Sequence, residues 1–359
     1  MNQDDLRRLL AERGTLTVAD YMAWRLTGRE DAYYRRADAI GRTGDFVTAP
    51  EISQIFGELL GLWAGATWLA MGQPRPFMLI ELGPGRGTLM QDALRACRVV
   101  PGFIEAAQLH LVEVSERLRQ AQREVLGDFS PVWHGALESV PAGPALLIAN
   151  EFFDALAVTQ YVHAGGQWRE RVVRPGADGA PGFAAGDPAS PPRRAAPPED
   201  NAILETRPSA EPVLAEMGRR ARAASLAALV IDYGYENDAY GDTLQAVRGH
   251  RYEDPLAHPG EADLSAHVNF AELARMAAAS GLAAWGPLPQ SAFLLMLGLE
   301  ARLQRLMASA GEPQRASLLL GARRLIDPFQ MGSLFKVMAL TSAGLPAPPA
   351  FEAAPHKGI

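Results

Sequence analysis

The stretch Met78-Leu79-Ile80-Glu81-Leu82-Gly83-Pro84-Gly85-Arg86-Gly87-Thr88 constrains this chain more than any other. Its apolar start predicts a short buried strand. The alternating Gly83, Gly85 and Gly87 then force a tight turn before a helical pattern that begins at Leu89. A strand, a glycine turn and a helix in that order build an α/β sheet. The glycines permit positive φ and a close backbone approach, so a polar ligand can rest against main-chain N–H groups at the helix N-terminus.

The spacing speaks against a dinucleotide, whose turn wants Gly-x-Gly-x-x-Gly. Here the glycines alternate strictly, and Glu81 stands two residues before the first of them. An acid at that point suits a cationic or amino-acid-like ligand. The pattern Glu-x-Gly-x-Gly-x-Gly resembles the first motif of S-adenosylmethionine-dependent methyltransferases, with a bare structural turn as its alternative. Gln108 to Val114 reads as the next strand of a βαβ unit and brings Glu113 to its carboxyl end, where open parallel sheets bind ligands. A carboxylate there can accept both hydroxyls of a ribose; the alternative is an exposed strand-end acid. Phe129 to His134 predicts a third strand, closed by Gly135-Ala136-Leu137, and an adenine is expected near the Leu137 backbone. Ala145 to Ala149 is a fully apolar strand that stops at Asn150-Glu151, with Asp154 just beyond. Burying Glu151 alone would be costly, so either a positive substrate group or an internal Arg or Lys must meet it.

Four segments carry a wider resemblance: Gly44-Asp45-Phe46-Val47-Thr48-Ala49-Pro50-Glu51-Ile52-Ser53-Gln54, Glu81 to Gly87, Asn150-Glu151-Phe152-Phe153-Asp154-Ala155-Leu156, and Met331-Gly332-Ser333-Leu334-Phe335-Lys336-Val337. Together they resemble the MidA family of methyltransferases over almost the whole chain. That family includes the mitochondrial complex I assembly-factor arginine methyltransferase. The resemblance implies a class I methyltransferase fold: a Rossmann-like, mostly parallel seven-stranded sheet with helices on both faces, an N-terminal helical extension and inserted segments. It implies S-adenosylmethionine as cofactor and symmetric dimethylation of a protein arginine, with a respiratory complex I subunit as the candidate partner. Within it, Glu81, Gly83, Gly85, Gly87, Glu113 and Leu137 are expected to bind the cofactor. A guanidinium suits a bidentate acid, so Glu151 is the first catalytic candidate, with Asp154 and Asn150 orienting and His267 and Asp232 as further pocket members. A histidine near a helix start also has a simpler role, hydrogen bonding to backbone. Ala37-Asp38-Ala39 departs from the Arg-Asp-Pro of the family pattern.

The length of 359 residues allows a full core with accessory regions. Residues 1–75 are expected to form the helical extension and a pocket-covering loop, with Thr17 to Asp20 starting a second helix and Thr48 and Glu51 forming a capping box. Residues 76–345 would form the core, with insertions at about 164–209 and 290–327, and 346–359 a loose tail. The first insertion is rich in Pro, Gly and Ala and reads as a surface excursion. A net charge of −7 offers no polycationic surface for nucleic acid. Cys97 is the only cysteine, so no intramolecular disulfide forms, and no His, Cys and carboxylate cluster has metal-ligand spacing. Phe293 to Leu299 is too short to span a bilayer. Met1-Asn2-Gln3-Asp4-Asp5 shows no targeting pattern, so a cytoplasmic protein is expected. The apolar helices before the last strand offer an interface for a homodimer. A module of the same fold that only holds a partner protein stays open as the rival to an enzyme.

Overall fold

The computed structural model describes residues 1–26, 28, 32–33, 48–192 and 198–351. The sequence segments 41–47, Ala37-Asp38-Ala39 and Arg193-Arg194 lie outside these residues. The strands of the central sheet are β1 (Phe77–Leu82), β2 (Ala107–Val112), β3 (Val132–His134), β4 (Ala145–Asn150), β5 (Leu226–Tyr235), β6 (Leu282–Pro289) and β7 (Phe335–Ser342). They lie in the order β3-β2-β1-β4-β5-β7-β6, with β7 antiparallel to both neighbours and the other pairings parallel. Every residue of β1 and β4 is buried, as continuous apolar runs in a sheet covered on both faces must be. On one face pack the helices Gln54–Ala70 and Thr88–Cys97 together with helices from the segment between β6 and β7. On the other pack Glu211–Ala223 and Phe270–Ala279. The strand order reverses between β1 and β4, and a crevice opens there at their carboxyl ends.

The N-terminal helices Gln3–Arg13 and Val18–Leu26 form, with residues 244–266 and part of an accessory sheet, a third hydrophobic cluster. Thr17 starts the second helix by accepting the Asp20 N–H at 3.0 Å. Arg25 is fully buried and ties this helix to the Pro255 and Ala262 carbonyls, at 2.5 and 2.8 Å.

Several expectations need correction. The Pro- and Gly-rich excursion is an antiparallel sheet of Thr159–Ala164, Gln167–Pro175, Pro181–Pro188 and Ile203–Thr206, completed by Leu16–Thr17. Its prolines sit at strand ends, where a missing N–H breaks no ladder, while Trp168, Val172 and Val173 are buried. The long connection after β5 likewise contains a small sheet of Gln245–Arg248, Arg251–Glu253 and Asp263–Ser265. Thr48 makes no side-chain cap, because Glu51 Oε1 instead accepts the Thr88 hydroxyl at 2.6 Å. The helix after Thr48 is only Ala49–Ile52, and the long helix starts at Gln54 under a Ser53 cap. The segment between β6 and β7 holds three longer helices, Gln290–Met296, Leu299–Ser309 and Glu312–Ile326. The tail is anchored as far as it is described: Phe351 is buried and its ring lies 5.8 Å from that of Phe293. No helix among the described residues is long and apolar enough to cross a membrane.

Candidate functional site

At the carboxyl ends of β1, β2 and β4 lies a cavity of about 490 Å³, within the range of small-molecule sites. Gly83 and Gly85, with φ of +61° and +53°, form its floor and keep the turn open. A Cβ on Gly83 would come within 3.3 Å of the Phe152 ring. Gly87 does not line the cavity. It starts the helix Thr88–Cys97 with φ of +85°, and a Cβ there would press on Val125 and Leu126 at 3.0 and 3.1 Å, so its smallness serves packing.

Glu113 follows β2 directly and is buried at the cavity wall. Its Oε1 accepts the Ser115 N–H at 2.7 Å, and Arg119 grips its carbonyl at 2.9 and 2.6 Å. Burial raises its pKa, while the N–H of Ser115 and the amide of Gln122 pull the other way. Beyond Glu113 the wall becomes apolar, with Val112, Val114, Leu118, Ala136 and Leu137. The Leu137 carbonyl is already taken by Arg220 at 2.8 Å, so Leu137 offers the cavity its side chain and not that acceptor.

A small annex of about 60 Å³ adjoins the cavity and shares Thr48, Gly83, Gly85 and Glu151 with it. Glu81 and Asn150 line this annex, and both are more than nine-tenths buried. Glu81 Oε2 and Asn150 Oδ1 have no hydrogen-bond partner among the described residues. Burial, reinforced by the charge of Glu113, pushes Glu81 up to about 8. Two orphaned acceptors beside a glycine turn are what the ammonium of an amino-acid ligand would satisfy. The residues present therefore fit S-adenosylmethionine: a diol acceptor at Glu113, an apolar wall for a base and an ammonium pocket at the turn.

Part of the cavity wall is acidic, starting at Glu151 where the annex joins it. Glu151, Asp154 and Asp263 all line the cavity, beside Phe152, Ala155 and Leu156. Glu151 adopts a left-handed φ of +50°, unusual for a side chain of its size and a mark of a position fixed by its surroundings. Its Oε1 accepts the Ala49 N–H at 3.1 Å and the Asn150 amide at 3.2 Å. Burial, aided by the charges of Asp154 and Asp263, lifts its pKa to about 7 against the pull of those hydrogen bonds. No internal Arg or Lys among the described residues pairs with Glu151. Asp154 is raised by burial and held back by the Tyr233 hydroxyl and Arg207. Ala23, Leu26 and Thr48 bring the N-terminal segment to the same cavity.

The other expected pocket members take structural roles. Asp232 lies inside β5, not at its end, and is wholly buried. Its carboxylate accepts the N–H groups of Phe153, Asp154 and Tyr233 at 3.0, 3.1 and 3.0 Å. Burial and the facing Asp154 push its pKa well up. His267 does not line the cavity. Its ring meets Tyr233 edge-on at 5.3 Å, its backbone N–H donates to Thr243 Oγ1 at 2.9 Å, and burial lowers its pKa. Arg207, to which the sequence drew no attention, is buried beneath the loop after β4. Its Nη1 donates to the carbonyls of Phe153 (2.6 Å), Asp154 (3.1 Å) and Leu156, and its Nη2 to those of Ala266 (2.8 Å) and His267 (3.0 Å). Nothing in Thr206-Arg207-Pro208 signals that role. Asp263, not among the sequence-predicted site residues, joins the acidic wall because the small sheet carries it there.

The family model of S-adenosyl-L-methionine-dependent methyltransferases matches residues 59–288. The chain is 38% identical over 366 residues to mouse protein arginine methyltransferase NDUFAF7, mitochondrial, covering 91% of this chain and 81% of that protein. It is 36% identical over 368 residues to the Drosophila melanogaster homolog of NDUFAF7, covering 93% of this chain and 83% of that protein. The crystal structure of a Burkholderia thailandensis protein bound to S-adenosyl-homocysteine superposes with a TM-score of 0.83 at 27% identity, covering 99% of this chain and 95% of that one. The relatives are mitochondrial proteins, which overturns the expectation of a cytoplasmic protein drawn from the first residues. The cofactor is S-adenosylmethionine. Glycine turn, strand order and relatives agree, and the chain belongs to the NDUFAF7-like (MidA) family of S-adenosylmethionine-dependent methyltransferases.

Proposed function

We propose that this chain methylates the guanidinium of a protein arginine, with Glu151 and Asp154 receiving that group. The observation that carries the reading is the lining of the cavity. Glu113, Glu138, Glu151, Asp154 and Asp263 supply five carboxyls, and no Lys, Arg or His stands among the described lining residues. Walls of one sign raise the local concentration of the opposite charge. A ribose diol needs one of these acids, which leaves the Glu151 cluster for a cation. A guanidinium is planar and carries five donors, so several carboxylates can grip it at once. The relatives named protein arginine methyltransferases support the same substrate class.

When bound, the cofactor supplies an electrophilic methyl group. The residues of the chain then have to position and neutralise. Glu113 is the acceptor for the ribose, and Glu81 with Asn150 for the ammonium, which moves Asn150 from catalysis to binding. Glu151 in its ionised form accepts N–H bonds from the guanidinium and aims one nitrogen at the turn. The nitrogen gives up a proton as it is methylated, and a carboxylate with a pKa near 7 is matched to take it. Asp154 grips a second edge of the substrate, and Arg207 holds the loop that carries it. Positioning of this kind supplies most of the rate in a transfer that needs no covalent intermediate.

The test is to incubate the protein with S-adenosylmethionine labelled in its methyl group and an extract of cells lacking it, then to hydrolyse the labelled protein. Label in methylarginine supports the reading, and label in methyl-lysine or in no amino acid contradicts it. Within the arginine class, the family resemblance favours a subunit of respiratory complex I, which mass spectrometry of the labelled band identifies or rejects. Symmetric dimethylation is read from the same hydrolysate.

A further inference from the structure

The helix Glu116–Leu126 carries a glutamine that the chemistry above does not use. Gln122 is fully buried, and its amide is engaged on three sides. Nε2 donates to the Gly85 carbonyl at 2.7 Å and to Glu113 Oε2 at 3.3 Å, while Oε1 accepts from Trp133 Nε1 at 2.7 Å. The three partners belong to the glycine turn after β1, the residue just after β2, and β3. An amide whose donors both meet acceptors, with its oxygen pinned by an indole, is a spacer of fixed length in a dry interior.

We propose that Gln122 is a positioning residue for the cofactor. It sets the distance and tilt between the glycine turn and the ribose-binding carboxylate, so that both engage a single molecule. This rests on the reading of Glu113 as the ribose acid. The Gly85 carbonyl fixes the peptide plane of the turn. Ser115 takes Glu113 Oε1, so Gln122 steers the remaining oxygen. Only an amide of this length does both, because Met has no donors and Glu would set a second carboxyl against Glu113. A residue that merely filled space would show no preference for an amide over an isosteric thioether.

The experiment is a double-variant cycle in S-adenosyl-homocysteine affinity, measured by calorimetry on the intact chain. Gln122→Met is expected to weaken binding about tenfold, and Glu113→Ala about tenfold or more, as the loss of one or two buried charge-assisted bonds requires. Because Gln122 acts in part through Glu113, the double variant is expected to be no more than about threefold weaker than Glu113→Ala alone. Full multiplication of the two effects, or unchanged affinity in Gln122→Met, overturns the proposal. Unchanged affinity in Glu113→Ala identifies the ribose reading itself as the failure, and the proposal falls with it. If Gln122→Met does not fold, Gln122→Leu, which likewise lacks donors and adds no charge, enters the same cycle with the same criteria.

Discussion

Glu81 is a buried acid with one oxygen unpartnered among the described residues. Burial holds its carboxyl near pH 8, far above the ordinary 4.5. In the unfolded chain it releases its proton near that ordinary value, so between the two the folded state binds more protons and loses stability as pH rises. Glu81→Gln removes that loss. Its unfolding midpoint is expected to exceed the parent's by about 2–4 °C at pH 8, with the gain vanishing toward pH 4.5, while cofactor affinity falls. A calorimetric melt at the two pH values checks the sign. Gly85, with φ of +53°, lines the cavity, and Gly85→Val would place a β-branched side chain there in a left-handed backbone. Loss of S-adenosyl-homocysteine binding is expected with the circular dichroism spectrum preserved. Glu151, with a pKa near 7, predicts a third outcome. If its ionised form is the active one, kcat/KM rises about tenfold per pH unit below 7 and levels above it. Glu151→Gln is expected to lack that limb.

The loop from Glu151 to Leu156 is held from below by Arg207 and Asp232, and neither partner is near it in sequence. Arg207→Met would leave the carbonyls of Leu156, Ala266 and His267 without that donor, while those of Phe153 and Asp154 keep the backbone N–H groups of Leu156 and Ala266. A stability loss on the order of 3 kcal/mol is expected, with methyl transfer falling more than S-adenosyl-homocysteine affinity. Thermal unfolding and a parallel binding titration separate the two effects. The same element shows where reading from sequence stops. The apolar run of β4 and its abrupt polar end are local signals, and so was the glycine turn. The grip of Arg207, by contrast, depends on a strand of the accessory sheet meeting the loop. Thr48 and Glu51 have the spacing of a capping box, yet Thr88 captures the carboxylate from another helix. Asp232 follows an apolar run that stops at Ile231, but β5 continues to Tyr235 through pairing with Val268–Asn269. In each case a tertiary partner outweighed a local preference.

At the scale of the whole molecule, the strand order, the two apolar faces of the sheet and the crevice at its topological switch point follow from the alternation of strands and helices along the chain. The accessory sheet does not, because Leu16–Thr17 pairs with Val172–Val173 across more than a hundred residues and its prolines mask the alternation. That sheet matters to function. It packs with the N-terminal helices that bring Ala23 and Leu26 to the cavity. The small sheet brings Asp263, whereas Glu151 and Asp154 lie in the loop that follows β4 directly after Asn150. Cofactor binding and transfer are still expected to be separable by substitution at Glu151. The most direct measurement compares the parent and Glu151→Gln for S-adenosyl-homocysteine affinity and for transfer of labelled methyl groups to protein arginine, with thermal unfolding recorded for both. The predicted result is unchanged affinity and folding with transfer reduced by about 10²-fold or more, the size expected when a preorganised charge is removed. Transfer at the parental rate would contradict the account and leave Glu151 a structural acid.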